Sequence, residues 1–159
     1  MIKTIIFGNS GSGKSTLAGK LSTKHKAAHL DLDTLAWQAV NPPQRMQIDE
    51  SANLIQDFLA QNDNWVIEGC YSDLLTLIAP FATQAIFMNL PVAACVENAK
   101  MRPWEPHKYK SKADQDANLD MLIAWISQYT ERTDTFSQIA HQKLFDEFNG
   151  DKLMYTKNT

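Results

Sequence analysis

Short apolar runs, each too brief for a helix, alternate along this chain with longer stretches in which apolar residues recur every three or four positions. The runs are Ile2 to Phe7, Ala28 to Leu32, Asn64 to Glu68, Ala85 to Leu90 and Lys152 to Thr156, and they predict strands. Between them, helical spacing covers Lys14 to about Lys26, with Leu17, Ala18 and Leu21 on one face. It returns over about Gln44 to Gln61, where Ile48, Ala52, Ile55, Phe58 and Leu59 recur, and over Leu74 to Ala79. Further helices are predicted from Pro91 to about Lys100, from Asp114 to about Arg132 through Leu119, Leu122, Ile123 and Ile126, and from Phe136 to Phe148. Asn41-Pro42-Pro43, Gly69 and Asn149-Gly150 punctuate the pattern. Strands alternating with helices imply β-α-β units, a parallel sheet and right-handed crossovers, so the expected class is α/β. Ligands of such sheets collect at the carboxyl ends of the strands, here Phe7, Asp31 to Asp33, Glu68 and Leu90.

The first strand runs directly into Gly8-Asn9-Ser10-Gly11-Ser12-Gly13-Lys14-Ser15, which fits G-x-x-x-x-G-K-[ST] with a strand before it and a helix after. Glycines let the backbone curl so that successive N–H groups face inward, and the helix opening at Lys14 adds the positive end of its dipole. Such a concavity takes a polyphosphate. Lys14 is expected to reach the β- and γ-phosphates and Ser15 to offer its hydroxyl to Mg²⁺, with Thr16 adjoining them on the helix face. ATP and Mg²⁺ are the expected cofactors. Mg²⁺ needs hard oxygen ligands, and the strand-end acids Asp31 and Glu68 are the candidates to hold it through its water shell. Asp33 is the candidate for orienting an acceptor hydroxyl.

The segment Met101 to Ala113 breaks the pattern, with two prolines, two aromatics and several cations, the composition of a mobile cover over a phosphate site. The chain's arginines, Arg45, Arg102 and Arg132, lie outside the predicted strands on segments able to reach the cleft. Lys108, Lys110 and Lys112 read instead as a solvated face. Trp37 and Trp104 are placed for stacking on a ring, Trp65 and Trp125 for packing. The histidines show no metal-ligand spacing.

Composition narrows the partners. The 159 residues are 44% hydrophobic and 21% charged, which suits one globular domain, and the formal charge of −3 opposes direct nucleic-acid binding. The sequence shows no membrane span and no signal peptide, and Cys70 and Cys95 lack metal spacing, so a cytoplasmic protein with reduced thiols is expected, as a monomer or homodimer.

Three blocks carry a family resemblance: Ile5 to Ala18, His29-Leu30-Asp31-Leu32-Asp33-Thr34-Leu35-Ala36-Trp37, and Trp65-Val66-Ile67-Glu68-Gly69-Cys70-Tyr71-Ser72. They resemble the small P-loop kinases of the adenylate and shikimate kinase type, most closely the adenylate-kinase-like proteins labelled DNA-topology-modulation proteins. The resemblance implies a three-layer P-loop NTPase fold whose five-stranded parallel sheet runs in the order 2-3-1-4-5. It also implies a substrate segment at about 34–62, holding Asp33, Trp37 and Arg45, and a lid at about 101–113. Asp31 and Asp33 fall at positions like a D-x-D pair, and Arg102 and Arg132 match the lid and post-lid cations. The chain departs from the pattern in carrying one lid arginine and in placing Glu68 where Asp is commoner. The implied activity is transfer of the γ-phosphoryl group of ATP to a nucleotide or other small molecule. A nucleotide-binding regulator or slow ATPase acting on a protein or nucleic-acid partner is the alternative.

Overall fold

The computed structural model describes residues 1–40 and 42–158; Asn41 of the expected diproline break lies outside the described residues. Strands β1 (Lys3–Gly8), β2 (Ala28–Asp31), β5 (Trp65–Gly69), β6 (Gln84–Met88) and β7 (Asp151–Tyr155) form one five-stranded sheet in the order β2-β5-β1-β6-β7. All its pairings are parallel. Counting only these strands, the order is the expected 2-3-1-4-5, and the fold is that of a P-loop NTPase.

Side chains alternate across a strand, so each central strand supplies two cores. Ile5, Phe7, Ile67 and Phe87 pack on one face against Leu74, Leu75 and Ile78 of α4 (Ser72–Ile78), Ile55 of α3 (Ile48–Gln61) and Leu144 of α8 (Gln138–Glu147). Ile6, Val66 and Ile86 face the other way, onto Ala18 of α1 (Lys14–His25), Cys95 and Ala99 of α5 (Val92–Lys100) and Ile126 of α7 (Leu119–Ser127). Being covered on both faces is why β1, β5 and β6 read as continuous apolar runs. Full burial of each such side chain is worth about 1.5–3 kcal/mol. Among the described residues, no helix is long and apolar enough to cross a membrane.

The chain departs from the expected elements in three places. Asp33–Ala36 forms a single helical turn, α2, too short to leave a periodic trace in the sequence. Gln44–Arg45 does not open a helix but forms β4, paired antiparallel with β3 (Trp37–Gln38), and α3 begins only at Ile48. The Met46 amide donating to the Ala36 carbonyl at 2.8 Å ties this ribbon back to α2. The helix expected from Asp114 to Arg132 is two helices, α6 (Lys112–Ala117) and α7, meeting at Asn118 and ending at Ser127. Ser111 caps α6 by accepting from the Asp114 amide, while Asn118 turns its amide to the Tyr109 hydroxyl at 3.0 Å. That contact ties the helix junction to the irregular segment before it.

Candidate functional site

The loop after β1 bends through left-handed backbone at Gly11 and Gly13, with φ of 79° and 91°. A Cβ at Gly11 would lie 2.4 Å from the Cys95 carbonyl oxygen, so the turn requires glycine there. The loop is held from outside. Asn98 Nδ2 donates to the Gly11 carbonyl at 2.9 Å, and Asn158 Nδ2 donates to that of Ser12 at 3.1 Å. Asn9 Nδ2 reaches the Ile126 carbonyl at 3.1 Å. Within the loop, the first turn of α1 leaves its N–H groups without intrahelical acceptors. Lys14 Nζ folds back to the Asn9 carbonyl at 2.7 Å.

The acids gather beside it, at the ends of β2 and β5, because those strands are paired in register with Asp31 beside Glu68. Glu68 is 2% exposed, and its Oε2 accepts from the Ser15 hydroxyl at 2.7 Å and lies 3.0 Å from His29 Nε2. That hydrogen bond raises the His29 pKa against the opposing effect of burial. Asp31 Oδ1 accepts from the Asp33 amide at 2.9 Å, which fixes the turn into α2. Burial, then the charges of Glu68 and Asp33, push the Asp31 carboxyl above its usual range.

Asp33 sits at the centre of a second network. It accepts from the Tyr71 hydroxyl, which in turn accepts from Trp37 Nε1 at 2.8 Å. Lys108 Nζ, from the segment between α5 and α6, donates to Asp33 Oδ2 at 2.8 Å and lies 3.3 Å from Asp31 and 3.5 Å from Glu105. Burial alone would push Asp33 up, but Lys108 and the Tyr71 hydroxyl outweigh it and hold the carboxyl below its usual range. Burial likewise opposes charge on Lys108, and Asp33 and Asp31 overcome it. The Cys70 thiol, between these groups, is pushed up to about 12 by burial and stays protonated.

Asp31, Asp33, Glu68, Cys70 and Lys108 line, with the phosphate loop, a cavity of about 640 Å³, within the size range of small-molecule sites. Its walls bring Lys14 and Ser15 together with Asp31, Asp33 and Glu68, while Arg102 and Lys108 enter from the segment after α5. One hydroxyl and two carboxylates form a hard-oxygen donor set that fits Mg²⁺. No group of three His, Cys, Asp or Glu side chains is placed to hold a metal among the described residues, so phosphate oxygens and waters must complete such a coordination shell.

A family model described as an AAA domain matches residues 5–119. The chain belongs to the AAA domain family. The match spans the phosphate loop, the strand-end acids and the Lys108 segment, while α7, α8 and β7 fall almost wholly beyond it. The AAA domain protein is 27% identical over 129 residues to the uncharacterized protein YqaC of Bacillus subtilis (strain 168), covering 78% of this chain and 70% of that one. Among solved structures it is similar to TT1252 from Thermus thermophilus, at 15% identity and a TM-score of 0.54 over 98% of this chain and 88% of that one. It is also similar to a sugar kinase from Janibacter sp. HTCC2649, at 9% identity and a TM-score of 0.51 over 96% of this chain and 83% of that one. These likenesses agree on the fold.

The residues expected from sequence distribute unevenly around this AAA domain's cavity. Ser10, Gly11, Gly13 and Thr16 line it with Lys14 and Ser15, whereas Gly8, Asn9 and Ser12 form the underside of the loop. Arg45 and Trp37 are not part of its wall. Arg45 is packed over the Tyr71 and Phe136 rings, 5.0 Å and 5.5 Å from their centroids, and bonds Asp73 at 3.1 Å. Arg132 is also outside, because its guanidinium stacks 3.4 Å over Trp125 and pairs with Asp134 at 3.0 Å. Lys108, expected on a solvated face, is drawn inward by three carboxylates instead. Tyr71 and His29 also escaped the sequence reading. Glu105, three positions before Lys108, is the one local sign that this lysine differs from Lys110 and Lys112.

Proposed function

We propose that this AAA domain is an ATP-dependent kinase that moves the γ-phosphoryl group to a nucleotide or other small molecule. One observation carries the reading: the phosphate loop and the strand-end acids Asp31, Asp33 and Glu68 line a single cavity. In-line phosphoryl transfer needs such groups in one place, since its catalysis is mostly positioning and charge neutralisation. Lys14 and the loop amides take the polyphosphate. Ser15, Asp31 and Glu68 would hold Mg²⁺, which neutralises phosphate charge when bound. Glu68 is kept in place for this by Ser15 and His29.

The chain works in this reading as a single domain with an acceptor segment at about 34–62 and a lid at about 101–113. Tyr71, steadied by Trp37, holds the Asp33 carboxylate toward the acceptor oxygen. Arg102, on the cavity wall and 3.3 Å from Glu105, is the lid cation that meets the transferring phosphate. Arg45 and Arg132, stacked on aromatic rings beyond the wall, shape the aromatic floor behind Tyr71 rather than the phosphate site.

The test is ADP release from Mg-ATP in the presence of nucleoside monophosphates, shikimate, hexoses and small alcohols, each supplied separately. One class should stimulate ADP formation with stoichiometric phosphorylation of the acceptor. ADP formation that no acceptor changes would instead make the protein a slow ATPase.

A further inference from the structure

The cavity collects acidic side chains from separate elements, Asp31 from β2, Asp33 from α2, Glu68 from β5 and Glu105 from the segment after α5. Such a wall would repel a polyphosphate unless cations are interposed. The cations are apportioned by geometry. His29 lies against Glu68 at 3.0 Å and Arg102 against Glu105 at 3.3 Å. Among the described residues, Lys108 alone contacts both Asp31 and Asp33, and it lines the same cavity as Lys14.

An ammonium has three donors. Among the described residues, only the contact of Lys108 with Asp33 Oδ2, at 2.8 Å, has hydrogen-bond geometry; Asp31 and Glu105 stand at 3.3 Å and 3.5 Å. The side chain is therefore anchored by one bond and retains donors for a further acceptor. Its anchor is the carboxylate that the proposed reaction turns toward the acceptor oxygen. A fixed cation at that point separates two negative groups that transfer must bring together, the orienting carboxylate and the phosphoryl group.

We propose that Lys108 is a catalytic residue, its ammonium bridging Asp33 and the phosphoryl group in transfer. This rests on the kinase reading above. In the step concerned, the acceptor oxygen bonds to the γ-phosphorus while its proton leaves to water. The bond from that phosphorus to the bridging oxygen breaks, and ADP departs with the electron pair. Lys108 contributes most when the phosphoryl group is planar and closest to Asp33, and less to the ground-state nucleotide, which Lys14 and the loop hold. Lys110, two positions on, is exposed and makes no such contact among the described residues.

Mg-ADP with aluminium fluoride mimics the planar phosphoryl group, so the experiment measures the dissociation constant of Mg-ADP with and without fluoride by calorimetry. The wild-type protein should bind more tightly with fluoride. Lys108→Met should cut that tightening on the order of tenfold or more, the scale of losing one donor to transition-state charge, and Lys108→Arg should recover part of it. Lys110→Met should leave it unchanged. Lys108→Gln supplies the same reading where Lys108→Met does not fold. Equal tightening in wild type and in the folded Lys108 variant overturns the catalytic assignment while sparing the kinase reading. Failure of the wild type to bind Mg-ADP at all removes the phosphate site, and both readings with it.

Discussion

His141 is buried at 0% exposure among the rings of Phe7, Phe87 and Tyr129. Its Nε2 lies 2.8 Å from the Cys70 carbonyl, which can only accept, so Nε2 carries the proton and Nδ1 accepts from the Tyr129 hydroxyl at 2.7 Å. Charging the ring would place a second proton against that hydroxyl, in an aromatic cage and with Lys14 close enough to oppose it. Burial, only partly offset by the Cys70 hydrogen bond, lowers the pKa from 6.5 to about 4. The unfolded chain therefore binds a proton that the folded chain refuses between those values. Stability from this group is complete above pH 6.5 and is lost as pH falls toward about 4, a loss of about 3 kcal/mol at 1.36 kcal/mol per pKa unit. Urea denaturation from pH 7 to pH 4 of the wild type and of His141→Gln measures it. The variant starts lower, having lost ring packing, but its acid decline should be shallower by about 3 kcal/mol, since carboxylate contributions are common to both. Parallel declines would refute the reasoning.

Gly11→Ala should lower stability by about 2 kcal/mol or more, from strain at positive φ and the clash with Cys95, and should abolish nucleotide binding; thermal denaturation with and without ATP reads both. Asp31→Asn removes a carboxylate crowded by Glu68 and Asp33, so it should leave stability unchanged or raised while turnover at limiting magnesium falls. Glu68→Gln should weaken the response to magnesium and also destabilise, because His29 and Ser15 lose a buried carboxylate partner. Magnesium titrations of turnover beside melting curves separate the two acids.

The phosphate loop was legible in the sequence because its chemistry is local: the spelling from Gly8 to Ser15 and its place between a strand and a helix suffice. Asp31 and Glu68 were legible for a simple topological reason, since both end strands of a parallel sheet and register places them side by side. The one-turn helix at Asp33 was hidden, as four residues carry no period. So was the break at Asn118, where helical spacing continues through Leu119 and Leu122 while the side-chain amide is spent on Tyr109. Cation placement was the least legible feature. Lys108 turns inward and Arg132 stays out because of partners distant in sequence, Asp33 and Asp31 for the first and the Trp125 ring for the second.

The central claim is that residues 8–15 hold the phosphates of a nucleotide through Lys14, and thermal stabilisation by Mg-ATP tests it most directly. At a hundredfold excess over Kd, the wild-type protein should gain about 2.7 kcal/mol, and Lys14→Ala should lose nearly all of that gain while keeping its ligand-free melting temperature. A gain of the same size in Lys14→Ala, or none in the wild type, would contradict the account.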